Sequence, residues 1–212
     1  MSNIKEFDCR PVSQEGAESP MAWTHQHHES RPAGPNPGVR IAEKAFLGHL
    51  ILRGGAIVLD EAVRDVLGIA LPGRPNTMTQ NDAGTHSVQW LGPDEWLVIV
   101  PGGEEFELEA KLRKALGDAH FSIVNVSGGQ TVLTLSGTNA REVLMKSVVY
   151  DVHPSAFPVG KGVTTVFAKA TAIIRRPAED HWELVVRRSF ADYTYRWLLD
   201  AAAEYGVTQE RA

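Results

Sequence analysis

Two apolar alternations separated by a short turn set the first limit on this fold. Val88 and Trp90 alternate with Ser87 and Gln89, Gly92-Pro93-Asp94-Glu95 interrupts, and Trp96, Val98 and Val100 resume the period of two. That period puts the apolar side chains on one face of a strand, and Gly, Pro and Asp reverse a chain, so the segment predicts a β-hairpin. An antiparallel pair with an apolar face needs a cover, and the neighbouring segments supply one.

Residues 47–53 read as a strand, Gly54-Gly55 as a break, and Asp60 as the N-cap of a helix with Ala62, Val63, Val66 and Leu67 on one face, stopping at Gly68. A polar, Pro-rich connection through Asn81-Asp82-Ala83-Gly84 leads into the hairpin. After Gly102-Gly103, residues 104–116 place Leu108, Leu112, Ala115 and Leu116 at helical spacing. Glu104, Glu105 and Glu107 lie near the positive end of that helix, and Lys111, Arg113 and Lys114 near the negative end. With a strand at 121–126, the order is β-α-β-β-α-β, that of a ferredoxin-like or split βαβ unit with two helices on one face of a sheet.

The second half repeats much of this order. A strand at 131–135, the break Ser136-Gly137 and a helix capped by Thr138, with Ala140, Val143 and Leu144 inward, are followed by strands at 163–168 and 171–175. Trp182, Leu184 and Val186 alternate after Pro177-Ala178-Glu179-Asp180, in a place matching that of Trp96. Ser189 with Asp192 caps a last helix whose Phe190, Tyr193, Trp197, Leu198 and Ala201 share a face. The expected class is α+β: two similar halves, 39–126 and 127–212, each an antiparallel or mixed sheet with two helices. Residues 1–38 lack periodicity and end in the breaker cluster Arg31-Pro32-Ala33-Gly34-Pro35-Asn36-Pro37-Gly38, which predicts an extended N-terminal arm.

Composition removes several classes of function. With 212 residues, 43% of them hydrophobic, the chain buries a core as one large domain or two small ones. A formal charge of -5 gives no basic footprint for nucleic acid. A single cysteine, Cys9, excludes an internal disulfide framework and a thiolate metal cluster within the chain. No apolar run approaches the roughly 20 residues of a spanning helix, and the N-terminus does not read as a secretory signal, so a cytoplasmic location is expected.

Candidate chemistry is sparse. His25-Gln26-His27-His28 has imidazoles close enough to share a divalent ion, but nothing there fixes ligand geometry, and no metal is assigned. Ser127, Ser136 and Ser189 sit at caps and turns, not on a strained elbow beside a base. Ser127-Gly128-Gly129-Gln130 and Val159-Gly160-Lys161-Gly162 lack the full glycine spacing of a dinucleotide fingerprint and read as tight turns. Asp94-Glu95 at a hydrated hairpin tip lacks the burial that tunes a catalytic carboxylate. Asp151 and His153, in Tyr150-Asp151-Val152-His153-Pro154, read as a loop after a helix. Trp90, Trp96, Trp182 and Trp197 are expected to face the core, whereas Trp23 lies in the arm, where an aromatic suits a partner's pocket. Trp23, His27, Asp151 and His153 are the candidate partner contacts. No catalytic, cofactor-binding or metal residue is assigned.

Two segments carry a resemblance: Trp90-Leu91-Gly92-Pro93-Asp94-Glu95-Trp96-Leu97 and Leu135-Ser136-Gly137-Thr138-Asn139-Ala140-Arg141-Glu142-Val143-Leu144. Both resemble the gamma subunit of heterotetrameric sarcosine oxidase, and the second also resembles the folate-binding superfamily of the glycine cleavage T protein. The similarity covers roughly residues 39 to 205. It implies a cofactor-free subunit of a complex that oxidatively demethylates sarcosine to glycine, passing the one-carbon unit to tetrahydrofolate or releasing formaldehyde, with production of hydrogen peroxide. It also implies alpha, beta and delta partners, with FAD, FMN, NAD, zinc and tetrahydrofolate on those other subunits. The alternative is a free-standing folate-binding, aminomethyltransferase-like protein. Against it stand the short chain, a sole cysteine in the arm, and Val159-Gly160-Lys161-Gly162-Val163 where related folate-binding proteins of iron-sulfur maintenance carry a Lys-Gly-Cys-type loop.

Overall fold

A computed structural model describes residues 16–27 and 37–210. A helix α1 (Ala22–His27) and a strand β1 (Val39–Lys44) precede the first expected strand. There follow β2 (Gly48–Gly54), α2 (Ala56–Leu67), β3 (Met78–Gln80), β4 (Ser87–Gly92), β5 (Glu95–Val100), α3 (Glu104–Leu116) and β6 (Phe121–Asn125). The second series is β7 (Gln130–Ser136), α4 (Ala140–Met145), β8 (Gly162–Phe167), β9 (Ala170–Ala178), β10 (His181–Arg187), α5 (Ala191–Ala201) and β11 (Val207–Glu210).

The hairpin forms as its alternation requires, with Trp90 opposite Trp96 across β4 and β5 and the reversal at Pro93-Asp94. Both faces of these strands are covered. Trp96, Val98 and Val100 pack with Leu59, Ala62 and Val63 of α2 and with Leu108 and Leu112 of α3. Leu97 and Ile99 point the other way and meet Val132, Ile173 and Val185 of a second sheet. That sheet is covered in turn on its outer face, where Leu133, Leu135, Ile174, Trp182 and Leu184 pack with Val143 and Leu144 of α4 and Tyr195 and Leu198 of α5. The layers therefore run helix, sheet, sheet, helix.

The first sheet is antiparallel, in the order β3-β4-β5-β2-β6, and the second runs β11-β1-β7-β10-β9-β8. Aligned on β2 and β7, the two orders match strand for strand, and β1 holds the place in the second sheet that β6 holds in the first. Both are antiparallel to their neighbour, Ile123 opposite Leu52 and Ile41 opposite Leu135. Residues 39–44, expected with the first half, are thus hydrogen-bonded into the second half's sheet. β11 lies outside β1 and parallel to it.

At the opposite end the sheets are stitched together. Thr77 bridges Lys161, Met78 N–H donates to Gly160 C=O at 2.8 Å, and Gly162 N–H donates to Asn76 C=O at 3.0 Å. A Cβ at Gly162 would lie 1.9 Å from Gln89 Oε1, so the buried Gln89 amide, which donates to Gly162 C=O, would have to move.

Some local expectations change. Helix α2 starts after Gly55, one turn before Asp60, and Asp60 instead accepts hydrogen bonds from Leu71 N–H and Arg64 Nε, both at 2.7 Å. That fastens the chain where it returns past Gly68, whose φ of 68° ends the helix. Neither Thr138 nor Ser189 caps a helix: α4 follows Asn139 and α5 follows a 3₁₀ turn, Arg188–Phe190. Because Phe190 falls in that turn, the phase of α5 moves. Ala191, Thr194, Tyr195 and Leu198 are its buried residues, while Phe190 and Trp197 are 41% and 36% exposed, contrary to the expected inward face. The arm is not wholly extended, since α1 lies within it.

Candidate functional site

The layer between the two sheets holds a buried polar cluster. Odd-numbered positions of β4, β9 and β10 face this layer, which buries Ser87, Gln89, Arg175 and Glu183. Arg175 donates through Nε to Glu183 Oε2 at 3.0 Å and through Nη2 to the same oxygen, and its Nη1 reaches Ser87 Oγ of the other sheet at 3.0 Å. Lys44 Nζ from β1 donates to Glu183 Oε1 at 2.7 Å. Burial alone would raise the Glu183 carboxyl, but the charges of Arg175 and then Lys44, with hydrogen bonds from both, hold it at about 2.

His49 of β2 is 1% exposed. Its Nδ1 lies 3.1 Å from the Leu47 carbonyl, which can only accept, so Nδ1 carries the proton and Nε2 has none. Burial first, and the nearby Arg175 charge as well, depress its pKa to about 4 against the Leu47 hydrogen bond. The ring is neutral at pH 7. The Arg175–Ser87 bond joins one sheet to the other, and neither the cleft at the hairpin tip nor the groove beside Val66 and Ala115 is lined by this cluster.

The arm is fastened by side chains. Met21 is fully buried in the second core, Thr24 Oγ1 donates to Asp192 Oδ1 at 2.6 Å, and Ser19 and Thr131 donate to Glu43 at 2.8 and 2.7 Å. His25 Nε2 lies 3.4 Å from Glu43 Oε2, and its ring meets Tyr195 edge-on. Trp23, 59% exposed, stacks on His27 at 4.5 Å, and His27 Nδ1 lies 2.8 Å from the Trp23 carbonyl. His28 lies outside the described residues, as does Cys9. Among the described residues no group of three or more His, Cys, Asp or Glu is arranged to hold a metal ion.

Asp151 and His153 meet in the loop between α4 and β8, where Asp151 Oδ1 accepts the His153 backbone N–H at 2.9 Å and His153 Nδ1 lies 2.7 Å from Ser155 Oγ. That is a self-closed turn. Lys161, in the glycine pair, donates to Ala156 C=O and lies over the Tyr150 and Phe157 rings. Ser127 Oγ accepts the His49 backbone N–H, and Asp94 pairs with Arg53 at the hairpin tip. The polar groups singled out in the sequence thus hold turns, and the inter-sheet cluster was missed. Its signal was present: Arg175 and Glu183 are charges inside apolar strands, beside Ile174 and Leu184.

Residues 54–204 match the model of the sarcosine oxidase gamma subunit family. The sarcosine oxidase subunit gamma of Corynebacterium sp. (strain P-1) is 38% identical over 183 residues, 84% of this chain and 87% of that protein. The same subunit of an Arthrobacter species is 34% identical over 177 residues, 78% of this chain and 86% of the other. Among solved structures, a chain of the heterotetrameric sarcosine oxidase from Corynebacterium sp. U-96, in complex with pyrrole 2-carboxylate, aligns with a TM-score of 0.80 at 30% identity, covering 91% of this chain and 98% of that one. The glycine cleavage system aminomethyltransferase T of Bartonella henselae shares the fold, with a TM-score of 0.64 at 13% identity over 90% of this chain and 58% of that one. With a family match over most of its length and relatives above 30% identity, the chain belongs to the sarcosine oxidase gamma subunit family.

Proposed function

We propose that this chain is a non-catalytic, structural subunit of a heterotetrameric sarcosine oxidase, a complex that oxidatively demethylates sarcosine to glycine. The observation that carries this is the near end-to-end match, 91% of this chain on 98% of the other, to a chain of such a heterotetramer. The polar chemistry of the molecule supports it, because Arg175, Glu183, Glu43, Asp60 and Asp192 are each engaged in holding elements together. In this proposal FAD, FMN, NAD, zinc and tetrahydrofolate reside on alpha, beta and delta partners, and the complex is cytoplasmic. No helix among the described residues is long and apolar enough to cross a membrane. The halves 39–126 and 127–212 act as one bracing body, with β1 tying them, and the arm 1–38, carrying Trp23 and His27, contacts a partner, as does the loop with Asp151 and His153.

Co-expression with and without the neighbouring subunits tests the proposal. The isolated chain should lack flavin absorbance and oxidase activity and should co-purify with three other chains when they are present; monomeric behaviour in their presence would refute it. A second reading, a free-standing folate-binding protein, draws on the shared fold with aminomethyltransferase T. Stoichiometric tetrahydrofolate binding by the isolated chain would favour that reading.

A further inference from the structure

The hairpin tip, the first turns of α2 and Leu71-Pro72-Gly73 enclose a cleft of about 350 Å³. Asp60 draws the third segment in by holding Leu71 N–H, and the lining is mainly Ile57, Leu71, Pro72, Trp90, Pro93 and Trp96. Ile57 is 85% and Val58 45% exposed on the first turn of a helix that buries Leu59, Ala62 and Val63, and Trp90 is only half-buried. Exposed apolar surface gathered at the rim of a cleft marks a place where another surface packs.

The polar groups of the cleft are unequally engaged. Both oxygens of Asp60 are taken, one by Leu71 N–H and one by Arg64 Nε. Arg64 gives only that Nε among the described residues, so its two Nη groups remain as donors in a cleft with no second carboxylate. Trp96 is 2% exposed, and its indole Nε1, a donor only, has no hydrogen-bond partner among the described residues. Trp96 Nε1 is itself buried, so the open donors of the cleft are the Arg64 Nη groups, and the complement is an apolar group flanked by a carboxylate. An extended stretch of polypeptide supplies both from neighbouring side chains. A small ligand inside the cleft would leave Ile57 in water, whereas a chain running across the rim covers it.

We propose that this cleft seats an apolar side chain and an adjacent acidic residue from an extended segment of a partner subunit, Arg64 meeting the carboxylate. The inference rests on the subunit reading above and adds the docking place and the chemistry of the docking segment.

The test uses the full chain co-expressed with its three neighbouring subunits, one of them tagged, and compares wild type with Ile57→Asp, Arg64→Glu and Arg64→Lys. Co-purification of the Asp and Glu variants should fall by about tenfold, the loss expected at the centre of an interface, while the Lys variant stays within about twofold of wild type. Ile57 is exposed, so the isolated Ile57→Asp variant should keep the wild-type unfolding midpoint, and Arg64→Glu, which loses only the exposed pair with Asp60, should lower it slightly while assembly falls about tenfold, which separates lost docking from lost folding. Unchanged assembly of both Ile57→Asp and Arg64→Glu would overturn the docking place while wild-type assembly upheld the subunit reading. Failure of the wild-type chain to assemble would overturn both. Benzoate, as a probe, shifting the tryptophan fluorescence of wild type but not of Arg64→Glu, with assembly untouched in either variant, would assign the cleft to a small carboxylate and also overturn the proposal.

Discussion

The first sheet closes on its own chain, whereas the second closes on a strand from elsewhere. β6 follows α3 and pairs with β2, so everything that sheet needs lies between residues 48 and 125. In the second sheet the corresponding place beside β7 is held by β1, and β11, which follows α5 as β6 follows α3, is displaced one strand outward. The same layout is therefore reached by two routes. One is complete within a contiguous segment; the other depends on a distant strand and, through Lys44 of that strand, feeds the ionic cluster that joins the sheets.

The largest effect should come from breaking that joint. Arg175→Met leaves Glu183 buried with Lys44 as its remaining cation and should cost about 4 kcal/mol, splitting one unfolding transition into two as the sheets uncouple. The double variant Arg175→Met with Glu183→Leu should recover more than half of that in chemical denaturation; no recovery would mean the pair is not the joint.

The two closing strands can be compared directly, because Ile41 and Ile123 occupy equivalent places with 0% and 6% exposure. Ile41→Ala should cost about 3 to 4 kcal/mol and Ile123→Ala about 2, since β1 is flanked on both sides and β6 is an edge. Equal losses would show that the borrowed strand is no more critical than the local one.

Proton linkage gives a third probe. A histidine whose folded pKa is about 4, below its ordinary 6.5, takes up its proton more readily when unfolded, so stability should fall as pH drops from 6.5 to 4. The loss amounts to at most ~3 kcal/mol. Glu183, held at about 2 against 4.5, adds a further loss as pH falls from 4.5 toward 2. His49→Gln should shrink the loss in the first window, leaving the part that His181, also depressed by burial, contributes, and should leave the second window unchanged, in urea titrations at each pH.

The smallest effect concerns the arm. Thr24→Val removes one hydrogen bond to Asp192 and should cost about 1 kcal/mol, read as faster hydrogen exchange in α1 with the first sheet unchanged.

Much of this architecture was legible where local pattern decides it. Helix α3 lies within residues 104–116 as its Leu spacing and end charges required, and the hairpin pairs Trp90 with Trp96. β1 escaped notice because Glu43 stands in its inward row after Val39 and Ile41, which cuts the apolar alternation short, and because its partner Leu135 is distant in sequence. Aromatic size misled the reading of α5, where Ala191 and Thr194 are buried and Trp197 lies half out, its Nε1 donating to Ser147 Oγ. The inter-sheet cluster and the cleft each combine residues from several elements, as Ser87 with Arg175 and Ile57 with Trp90, and no spacing along one segment encodes such meetings.

The place of β1 also imposes an order of events on the ribosome. Ile41 emerges well before Leu135, so during synthesis the strand waits with its apolar row uncovered while the first sheet assembles behind it. A waiting strand can pair with the wrong edge, and a charge in its row discourages that. Glu43 supplies such a charge, and in the finished molecule its oxygens accept hydrogen bonds from Ser19 and Thr131, with the His25 ring 3.4 Å away. The acid that hid this strand from pattern reading is thus suited to keep the nascent chain from premature pairing.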